Sequence, residues 1–437
     1  MKSRCRRAPR GGCWIKESAA TPARRAALDI LRAVALGAPF ADARDRHVDG
    51  LAERDRRLAH ALAAGVLRHR AALDRLVDLT RADSRLHDIL RLGVLQLREL
   101  QRVPPYAAVA TSVDLAREAA GVPAARYVNA TLRRLAADTS RPERGPSHPD
   151  WLTRRWRRRF GPDETARLVA WNDGLPPLVL QAARWSQAEL AARLRERGCA
   201  VHDAPFGAGL RVTDAAGRAP RPTTLPGFVE GGFFVQDAGP ALVCRFAALP
   251  PGTSTYDPCA APGGKAVALA RDGARVVAGE LRPERLTRLT DTLRRCGGGP
   301  ALLADLQAAP FAAATFDAVL LDAPCTATGV MARHPDARWR ISERAIARSA
   351  ERQRSLLELA ANLVRPGGVI VYATCSLEPE ENAEVVNAVL ARRPDLRRAP
   401  VAGAVPAELL TPAGDLEVLP QRHSTDGAYA ARLVRAA

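Results

Sequence analysis

Residues 254–265 read Ser-Thr-Tyr-Asp-Pro-Cys-Ala-Ala-Pro-Gly-Gly-Lys, and this stretch decides the fold. A strand-like segment, 254–256, is followed by a turn of small residues and glycines that opens a helical stretch. Small residues let the backbone approach a ligand closely, and the N-terminus of the next helix favours a carboxylate. The stretch therefore predicts a strand–loop–helix unit with a ligand at the carboxyl end of its strand.

Four more strand-like segments follow and alternate with helical stretches. This alternation predicts an α/β domain with a parallel, doubly wound sheet from about residue 236 to the end of the chain. The segments are Arg275–Ala278, Ala301–Leu303, Phe316–Leu321 and Val369–Ala373.

The first half of the chain has a different pattern. Residues 1–20 are rich in Arg and Gly and predict a disordered basic tail, and residues 21–137 predict an all-helical domain of roughly five or more helices. The proline-rich segment 138–150 reads as a linker. Residues 151–235 predict a small helical and α+β subdomain that binds RNA. The clearest helical face in 21–137 is formed by Leu86, Ile89, Leu90, Gly93, Val94 and Leu97.

The net charge of +18 favours a polyanionic partner, because Lys and Arg that neutralise phosphates release counterions. Compositional bias is the alternative. Only Lys2, Lys16 and Lys265 among the 65 basic residues are lysines, which is typical of a GC-rich genome. That bias explains the preference for arginine but not the excess over 47 acidic residues.

A dense arginine cluster lies around Trp156. It could bind the RNA backbone and stack on bases, or it could be a solvated helix face with one buried tryptophan, and the sequence favours neither. The cluster consists of Arg154, Arg155, Arg157, Arg158 and Arg159.

Composition also limits the classes of protein. No stretch approaches the ~18 apolar residues of a membrane helix, and the N-terminus lacks an apolar signal core, so we expect a soluble, cytoplasmic protein. The eight cysteines form no Cys-x-x-Cys pair and no cluster with His at ligand spacing. We therefore expect neither a disulfide scaffold nor a bound metal.

Three polar residues are candidates for ligand contacts at strand ends. Lys265 is a lysine in a chain that otherwise uses arginine, which suggests that a compact ammonium is required there. Glu280 ends the second strand and could bind a ribose diol, although a solvated strand-end carboxylate is the alternative. Asp305 ends the third strand and could accept a hydrogen bond from an adenine amine or cap a helix.

Two cysteines follow buried strands. Phe316–Leu321 leads into Asp322-Ala-Pro-Cys325, and Val369–Ala373 leads into Thr374-Cys375-Ser376. If the two strands are neighbours, about 4.8 Å apart, both thiols and Asp322 face one cleft. The other cysteines considered are interpreted as small buried hydrophobic residues, namely Cys199, Cys244 and Cys296.

These motifs together resemble the RNA cytosine-5 methyltransferases, and in particular the bacterial small-subunit rRNA enzymes of the RsmB (Fmu/Sun) type. The resemblance spans roughly residues 22–437. It implies a Rossmann-like class I methyltransferase domain, preceded by a NusB-like helical domain that binds RNA or protein. The resembling stretches are 257–265, 322–336, 374–376, 92–97, 102–106, 128–134, 147–152 and 235–237.

The resemblance implies roles for individual residues. Cys375 would be the nucleophile and Cys325 would assist release of the product, while Lys265 and Asp322 would also lie near the cytosine. The cofactor would be S-adenosylmethionine and the partner rRNA with an unstacked cytosine, bound by a monomer. The methyl-donor site would be lined by Cys259, Ala260, Ala261, Pro262, Gly263, Gly264, Lys265, Glu280, Asp305 and Asp322.

The chain departs from the family pattern at four places. Glu280 stands where Asp is usual, Thr326 replaces the common Ser, and Ala304 precedes Asp305 where Gly is frequent. The segment 425–429 lacks the first aromatic residue of the usual pattern. The longer side chain of Glu280 extends the reach to a ribose, and the contact of Asp305 with adenine is less secure.

Two other functions compete with cytosine-5 methylation. A non-catalytic RNA-binding or antitermination protein would need neither Cys375 nor Cys325, and calorimetry with the methyl donor would distinguish it. A methyltransferase acting on an amino group typically carries Asn/Asp-Pro-Pro-aromatic after the fourth strand, where this chain has Asp322-Ala-Pro-Cys325. Attack at carbon 5 of cytosine needs a thiolate at carbon 6, which explains the cysteines.

Overall fold

The computed structural model describes residues 21–100, 103–138 and 146–436, and the predicted tail 1–20 lies outside them. The chain divides into two compact units, Met1–Pro149 and Asp150–Ala437, each described here by itself. In the first unit every described element longer than one turn is a helix. These helices are α1 (Pro22–Ala35), α2 (Phe40–Val48), α3 (Glu53–Leu76), α4 (His87–Glu99) and α5 (Pro105–Ala137).

Helix α4 is the centre of the first unit, because it packs against α1, α3 and α5. The sequence pattern predicted a single buried face, but the whole of residues 89–96 is buried, whereas Leu97 is half-buried. Close packing explains this: a Cβ added at Gly93 would lie 2.5 Å from the Leu132 side chain of α5. Helix α5 is kinked at Ala120 and Gly121, where the backbone leaves the helical region.

The second unit begins with two helices and a small sheet. All neighbours in this four-stranded sheet are antiparallel, in the order β2-β3-β1-β4. The predicted α+β subdomain is therefore a helix packed on an antiparallel sheet, preceded by a helical pair. The elements are α6 (Asp150–Phe160), α7 (Pro162–Asp173), β1 (Val179–Ala182), α8 (Gln187–Glu196), β2 (Ala200–Asp203), β3 (Leu210–Thr213) and β4 (Phe233–Val235).

The rest of the second unit alternates strand and helix, which confirms the Rossmann-like fold class. The elements are α9 (Ala238–Ala247), β5 (Ser254–Asp257), α10 (Gly264–Arg271), β6 (Arg275–Glu280), α11 (Pro283–Cys296), β7 (Ala301–Leu303), β8 (Phe316–Asp322), α12 (Ala337–Arg340), α13 (Glu343–Leu363), β9 (Val364–Thr374), α14 (Ala383–Arg392), β10 (Leu396–Arg398), β11 (Leu416–Val418), α15 (Pro420–His423) and β12 (Ala428–Arg435).

The large sheet has the order β10-β12-β9-β8-β5-β6-β7, with β11 paired to β12. Strands β9, β8, β5, β6 and β7 are parallel, as predicted, but β12 joins β9 antiparallel. The sheet is therefore mixed: its parallel, doubly wound part is as predicted, and the sequence analysis did not predict the antiparallel strand β12. The chain winds from β5 to β6 in one direction and to β8 in the other, so the topological switch point lies between β5 and β8, where such folds bind ligands.

Helices cover both faces of this sheet, so most residues of β5, β8 and the second half of β9 are buried. In β9, Val371 and Ala373 join the hydrophobic cluster that contains α9 and α10, whereas Ile370 and Tyr372 join the cluster that contains α13 and α14. The alternation follows from the two-residue period of a strand. It explains why β8 and β9 read as continuous apolar runs in the sequence.

Candidate active site

The neighbouring strands β8 and β9 bring their two following loops to the same edge of the sheet. They pair in parallel with Asp322 opposite Ala373, and the backbone N–H of Ala323 donates to the Ala373 carbonyl at 2.8 Å. This confirms the expected adjacency of the two strands. The loops that carry Cys325 and Cys375 therefore begin side by side.

The two cysteine thiols are in contact. The Sγ atoms of Cys325 and Cys375 lie 3.3 Å apart, although 50 residues separate them in the sequence. The loops pack tightly here, since the N–H of Gly329 donates to the Cys375 carbonyl at 2.9 Å. A Cβ at Gly329 would lie 2.8 Å from that carbonyl oxygen, so only glycine fits at this position.

The Cys325 thiol is affected both by its contact with Cys375 and by burial. The hydrogen bond with Cys375, followed by burial, raises the pKa of Cys325 well above its ordinary value. Either thiol can donate in this contact, so a protonated Cys325 can donate its S–H to a Cys375 thiolate. This arrangement suits a pair in which Cys375 attacks and Cys325 holds a proton.

Lys265, in the first turn of α10, and Asp322, at the end of β8, form an ion pair. The Lys265 Nζ lies 2.7 Å from Asp322 Oδ2, and both side chains are mostly shielded from solvent. Burial alone would lower the pKa of Lys265, but the Asp322 carboxylate outweighs it and raises that pKa above its ordinary value. Lys265 is therefore a fixed positive charge at the edge of the sheet where the loops of Cys325 and Cys375 begin.

The loop between β5 and α10 is built to approach a ligand closely. Its backbone is held at the start, where the N–H of Cys259 donates to Asp257 Oδ1 at 3.2 Å and that of Ala260 donates to the Gly279 carbonyl at 3.0 Å. Gly263 precedes the helix with φ of 109°, a left-handed conformation that favours glycine. Helix α10 then begins at Gly264, where an added Cβ would lie 2.9 Å from Gln236.

A cavity of about 210 Å³ opens between this loop, the end of β4 and the loop before β12. Four buried side-chain oxygens of its lining residues have no hydrogen-bond partner among the described residues. Buried acceptors of this kind ordinarily have donors, so the cavity suits a ligand that carries N–H or O–H groups. The oxygens belong to Gln236, Asp237, Asp257 and Asp426.

One wall of the cavity is a charged cluster around Arg333. Its guanidinium contacts Asp426 Oδ2 at 2.5 Å and Asp237 Oδ2 at 3.2 Å. Burial raises the pKa of Asp426 to about 7 despite the nearby arginine. The sequence stretches containing these three residues carried the family resemblance or a departure from it, but none of the three was predicted as a site residue.

The two acidic candidates at the following strand ends have different surroundings. Glu280 is buried, and its carboxylate accepts from the N–H of Arg282 at 2.9 Å and lies 3.7 Å from the Arg285 guanidinium. Asp305 is exposed and caps a short 3-10 helix by accepting from the N–H of Gln307 at 3.0 Å. Their roles in donor binding remain predictions, with Glu280 more rigidly held.

The other described cysteines are Cys199, Cys244, Cys259 and Cys296. Cys244 and Cys296 are buried, as expected, whereas Cys199 is half-buried at the edge of the small subdomain's core. Cys259 lies in the β5–α10 loop, where burial raises the pKa of its thiol. Among the described residues, no group of three or more His, Cys, Asp or Glu side chains is arranged to hold a metal.

The arginine cluster divides between two faces of α6. Arg155 pairs with Glu378 and Glu380, and Arg159 pairs with Glu417 at 2.7 Å, so these two join α6 to the rest of the second unit. The other three arginines are exposed and make no ion pair with another described residue. They are spaced three and four residues apart on one face, namely Arg154, Arg157 and Arg158.

Comparison with known proteins bears on the same regions. The model of the 16S rRNA methyltransferase RsmB/F family matches residues 247–434, that of the NusB family matches 21–137, and that of the RsmF/B-like ferredoxin-like domain matches 148–217. The probable ribosomal RNA small subunit methyltransferase B of Synechocystis is 33% identical over 88% of this chain and 92% of the relative.

The chain belongs to the RsmB/F family of 16S rRNA methyltransferases.

Two further comparisons agree with this assignment. The ribosomal RNA small subunit methyltransferase B of Klebsiella pneumoniae is 34% identical over 79% of this chain and 84% of the relative. The solved structure of PH0851 matches with a TM-score of 0.79 and 25% identity, over 96% of this chain and 100% of that one. The resemblance that the motifs indicated is therefore confirmed at the level of the family.

Asp257 is fully buried at the end of β5, directly before the candidate donor loop. Burial raises the pKa of Asp257 to about 7. Asp257 binds its proton more tightly in the folded protein than in the unfolded chain. Its ionisation therefore lowers the free energy of unfolding, and this cost grows as the pH rises from about 4 to about 7. Above about 7 that cost is constant.

We therefore expect the Asp257→Asn variant to gain free energy of unfolding relative to wild type as the pH rises through that window. Asparagine does not ionise, so it avoids the cost. Urea unfolding of both proteins at several pH values between about 5 and 8 measures the difference. A difference that does not change with pH would contradict the raised pKa.

Proposed function

We propose that this protein methylates carbon 5 of a specific cytosine in 16S rRNA, with Cys375 forming a covalent bond to carbon 6 of the base. The observation that carries the proposal is the contact of the two thiols, 3.3 Å apart at the ends of neighbouring parallel strands, beside the Lys265–Asp322 ion pair. A methyltransferase that acts on an amino group needs neither thiol.

The chain's residues fit S-adenosylmethionine as the methyl donor. The small residues of the β5–α10 loop leave room for a close approach, and the unpartnered oxygens of Asp257 and Gln236 can accept from an ammonium group. When bound, this cofactor supplies an electrophilic methyl group. Glu280 would hold its ribose and Asp305 its adenine. The segment from Cys259 to Lys265 would line the rest of the donor site.

The chain's residues then divide the chemistry. Cys375 adds to carbon 6 of the cytosine, which makes carbon 5 nucleophilic. Asp322, whose carboxylate pairs with Lys265, can accept a hydrogen bond from the exocyclic amino group of the cytosine. The Lys265 ammonium, 2.7 Å from Asp322, stabilises negative charge nearby.

Release of the product needs a base for the proton on carbon 5 and elimination of Cys375. Cys325 assists this release and, once it has lost its own proton, is one candidate for the base. Both faces of the cytosine must be reachable for these steps, so the target must be unstacked or single-stranded.

In vitro methylation of 16S rRNA from a strain that lacks the enzyme tests this function. Purified protein and labelled methyl donor are incubated with naked rRNA or with small subunits, and bisulfite sequencing then locates the product. We expect a single protected cytosine. Label on an exocyclic amino group, or donor binding without any transfer to rRNA, would overturn the proposal.

The exposed face of α6 is proposed to bind the rRNA backbone. Replacing Arg154 and Arg158 by glutamine removes two potential phosphate contacts, so we expect the slope of log affinity against log salt to fall by about 1.5. Filter binding with an rRNA fragment measures it, and the matched control replaces the exposed Arg195 of α8 and Arg197, which directly follows that helix. Equal losses in the two double variants would mean that α6 has no special role.

No helix in the described ranges is long and apolar enough to cross a membrane. The cytoplasmic location and the monomeric state expected from the sequence remain predictions.

A further inference from the structure

Glu381 is a completely buried carboxylate in the turn that follows the Cys375 loop. Its Oε1 accepts from the N–H of Thr326 at 2.9 Å and from Gln353 Nε2 at 3.1 Å. Its Oε2 accepts from the hydroxyl of Ser376 at 2.5 Å and from that of Thr326. Four donors from three residues therefore converge on one side chain.

Two of these three residues directly follow the active-site cysteines. Thr326 follows Cys325, and Ser376 follows Cys375. A single carboxylate thus joins the two loops whose thiols are 3.3 Å apart. The loops come from different strands, so their separation is not fixed by the chain itself.

The neighbouring Asn382 fixes the same loop from its other side. Its Oδ1 accepts from the Thr374 hydroxyl at 2.6 Å, and its Nδ2 donates to the Ser376 carbonyl at 2.9 Å. Tyr372 of β9 also donates its hydroxyl to the Glu381 carbonyl at 2.5 Å. The turn is therefore anchored to β9 and to both residues that flank Cys375.

Burying a carboxylate is costly unless its oxygens are fully hydrogen-bonded. Burial raises the pKa of Glu381, whereas the hydrogen bonds from Ser376 and Thr326 oppose that rise. Such a cost in the wall of the site indicates a geometric role, because an apolar residue could fill the same space without it. The two chemical steps also need both thiols placed accurately against one base.

We propose that Glu381 is a positioning residue that sets the separation of Cys375 from Cys325. The consequence for catalysis rests on the proposed function, but the geometric claim does not. The rate at which diamide oxidises the two thiols to a disulfide depends on their separation, and its measurement needs neither RNA nor methyl donor. The two thiols form an S–S bond and lose two protons and two electrons. Diamide takes up these protons and electrons and becomes the corresponding hydrazine.

The test compares Glu381→Gln with the matched control Glu378→Gln. Glu378 is equally buried in the same loop, but its side chain accepts from Arg155 and Trp156 of α6 and from neither residue that follows a cysteine. In Glu381→Gln, the amide nitrogen that replaces one carboxylate oxygen cannot accept from the Thr326 or Ser376 hydroxyls. We expect disulfide formation to slow by about tenfold or more in Glu381→Gln and to stay at the wild-type rate in Glu378→Gln.

Single-turnover methylation gives the second readout. Glu381→Gln should lower the rate of the chemical step by about tenfold or more and leave the KM values for rRNA and donor unchanged. If the wild-type protein forms the Cys325–Cys375 disulfide but methylates no rRNA, the proposed function fails. The rates of disulfide formation in the variants still test the positioning role.

Thermal unfolding checks that both variants fold. Should Glu381→Gln not fold, Ser376→Ala removes one of the four hydrogen bonds and should still slow disulfide formation several-fold. Wild-type disulfide rates in the folded Glu381→Gln variant, or in Ser376→Ala in its place, would overturn the proposal. So would equal slowing in Glu378→Gln.

Discussion

Cys375→Ala is expected to abolish methylation of rRNA, with a loss of at least about a thousandfold in the rate of the chemical step. Without the thiolate, carbon 6 receives no nucleophile and carbon 5 stays too electron-poor to be methylated. Transfer of labelled methyl groups to rRNA under single-turnover conditions measures the loss. No covalent protein–RNA complex should appear on denaturing electrophoresis.

Binding measurements separate this chemical defect from misfolding. Calorimetry with the methyl donor and filter binding with rRNA should give near wild-type affinities, because Cys375 is not among the residues that line the cavity near the donor loop. Cys259→Ala in that loop is the control and should keep the covalent chemistry. A Cys375→Ala protein that still methylates carbon 5 would refute the covalent mechanism.

Cys325→Ala is expected to fail in the opposite way, by accumulating a covalent protein–RNA adduct. Cys375 can still attack, and carbon 5 can still be methylated, but the thiol that assists release is absent. The hydrogen bond between the two thiols gives this expectation its physical basis, because Cys325 is the only side chain that the structure brings within hydrogen-bond reach of Cys375 in the described residues. Turnover should stop after about one methylation per enzyme.

Denaturing electrophoresis with labelled rRNA detects the adduct as a slowly migrating band. The double variant Cys325→Ala/Cys375→Ala is the control and should give no band, because the attacking thiolate is gone. An adduct in Cys375→Ala but not in Cys325→Ala would reverse the two assignments. If neither variant formed one and both still methylated rRNA, neither thiol would act covalently.

The local patterns predicted most of the methyltransferase domain. Strand β7 was placed at its observed residues, and β5, β6 and β8 were placed to within two residues at either end, because each is a short segment bounded by turn residues. The pattern failed at β12, which pairs antiparallel with β9 and whose residues do not alternate between apolar and polar side chains. It also gave α4 one buried face, because periodicity does not reveal how many neighbours a helix has.

The candidate site was predictable where chemistry is written in residue type. A lysine in an arginine-rich chain, two cysteines after buried strands and a small-residue loop were all found from the sequence. Asp257, Arg333 and Asp426 were not assigned, since an acid or an arginine in a polar stretch is ordinarily a solvated side chain. Only the cavity and its unpartnered oxygens distinguish them.

By itself, the sequence determined the alternation of strands and helices from β5 to β9, the family and the residues able to perform covalent chemistry, because these depend on side-chain type and on local spacing. The tertiary structure alone decided that β8 and β9 adjoin, that the Cys325 and Cys375 thiols touch, and that Glu381 joins their loops. The physical reason is that such contacts depend on how the strands pack across the sheet. The two cysteines are 50 residues apart in the sequence, and no local periodicity encodes a contact over that separation.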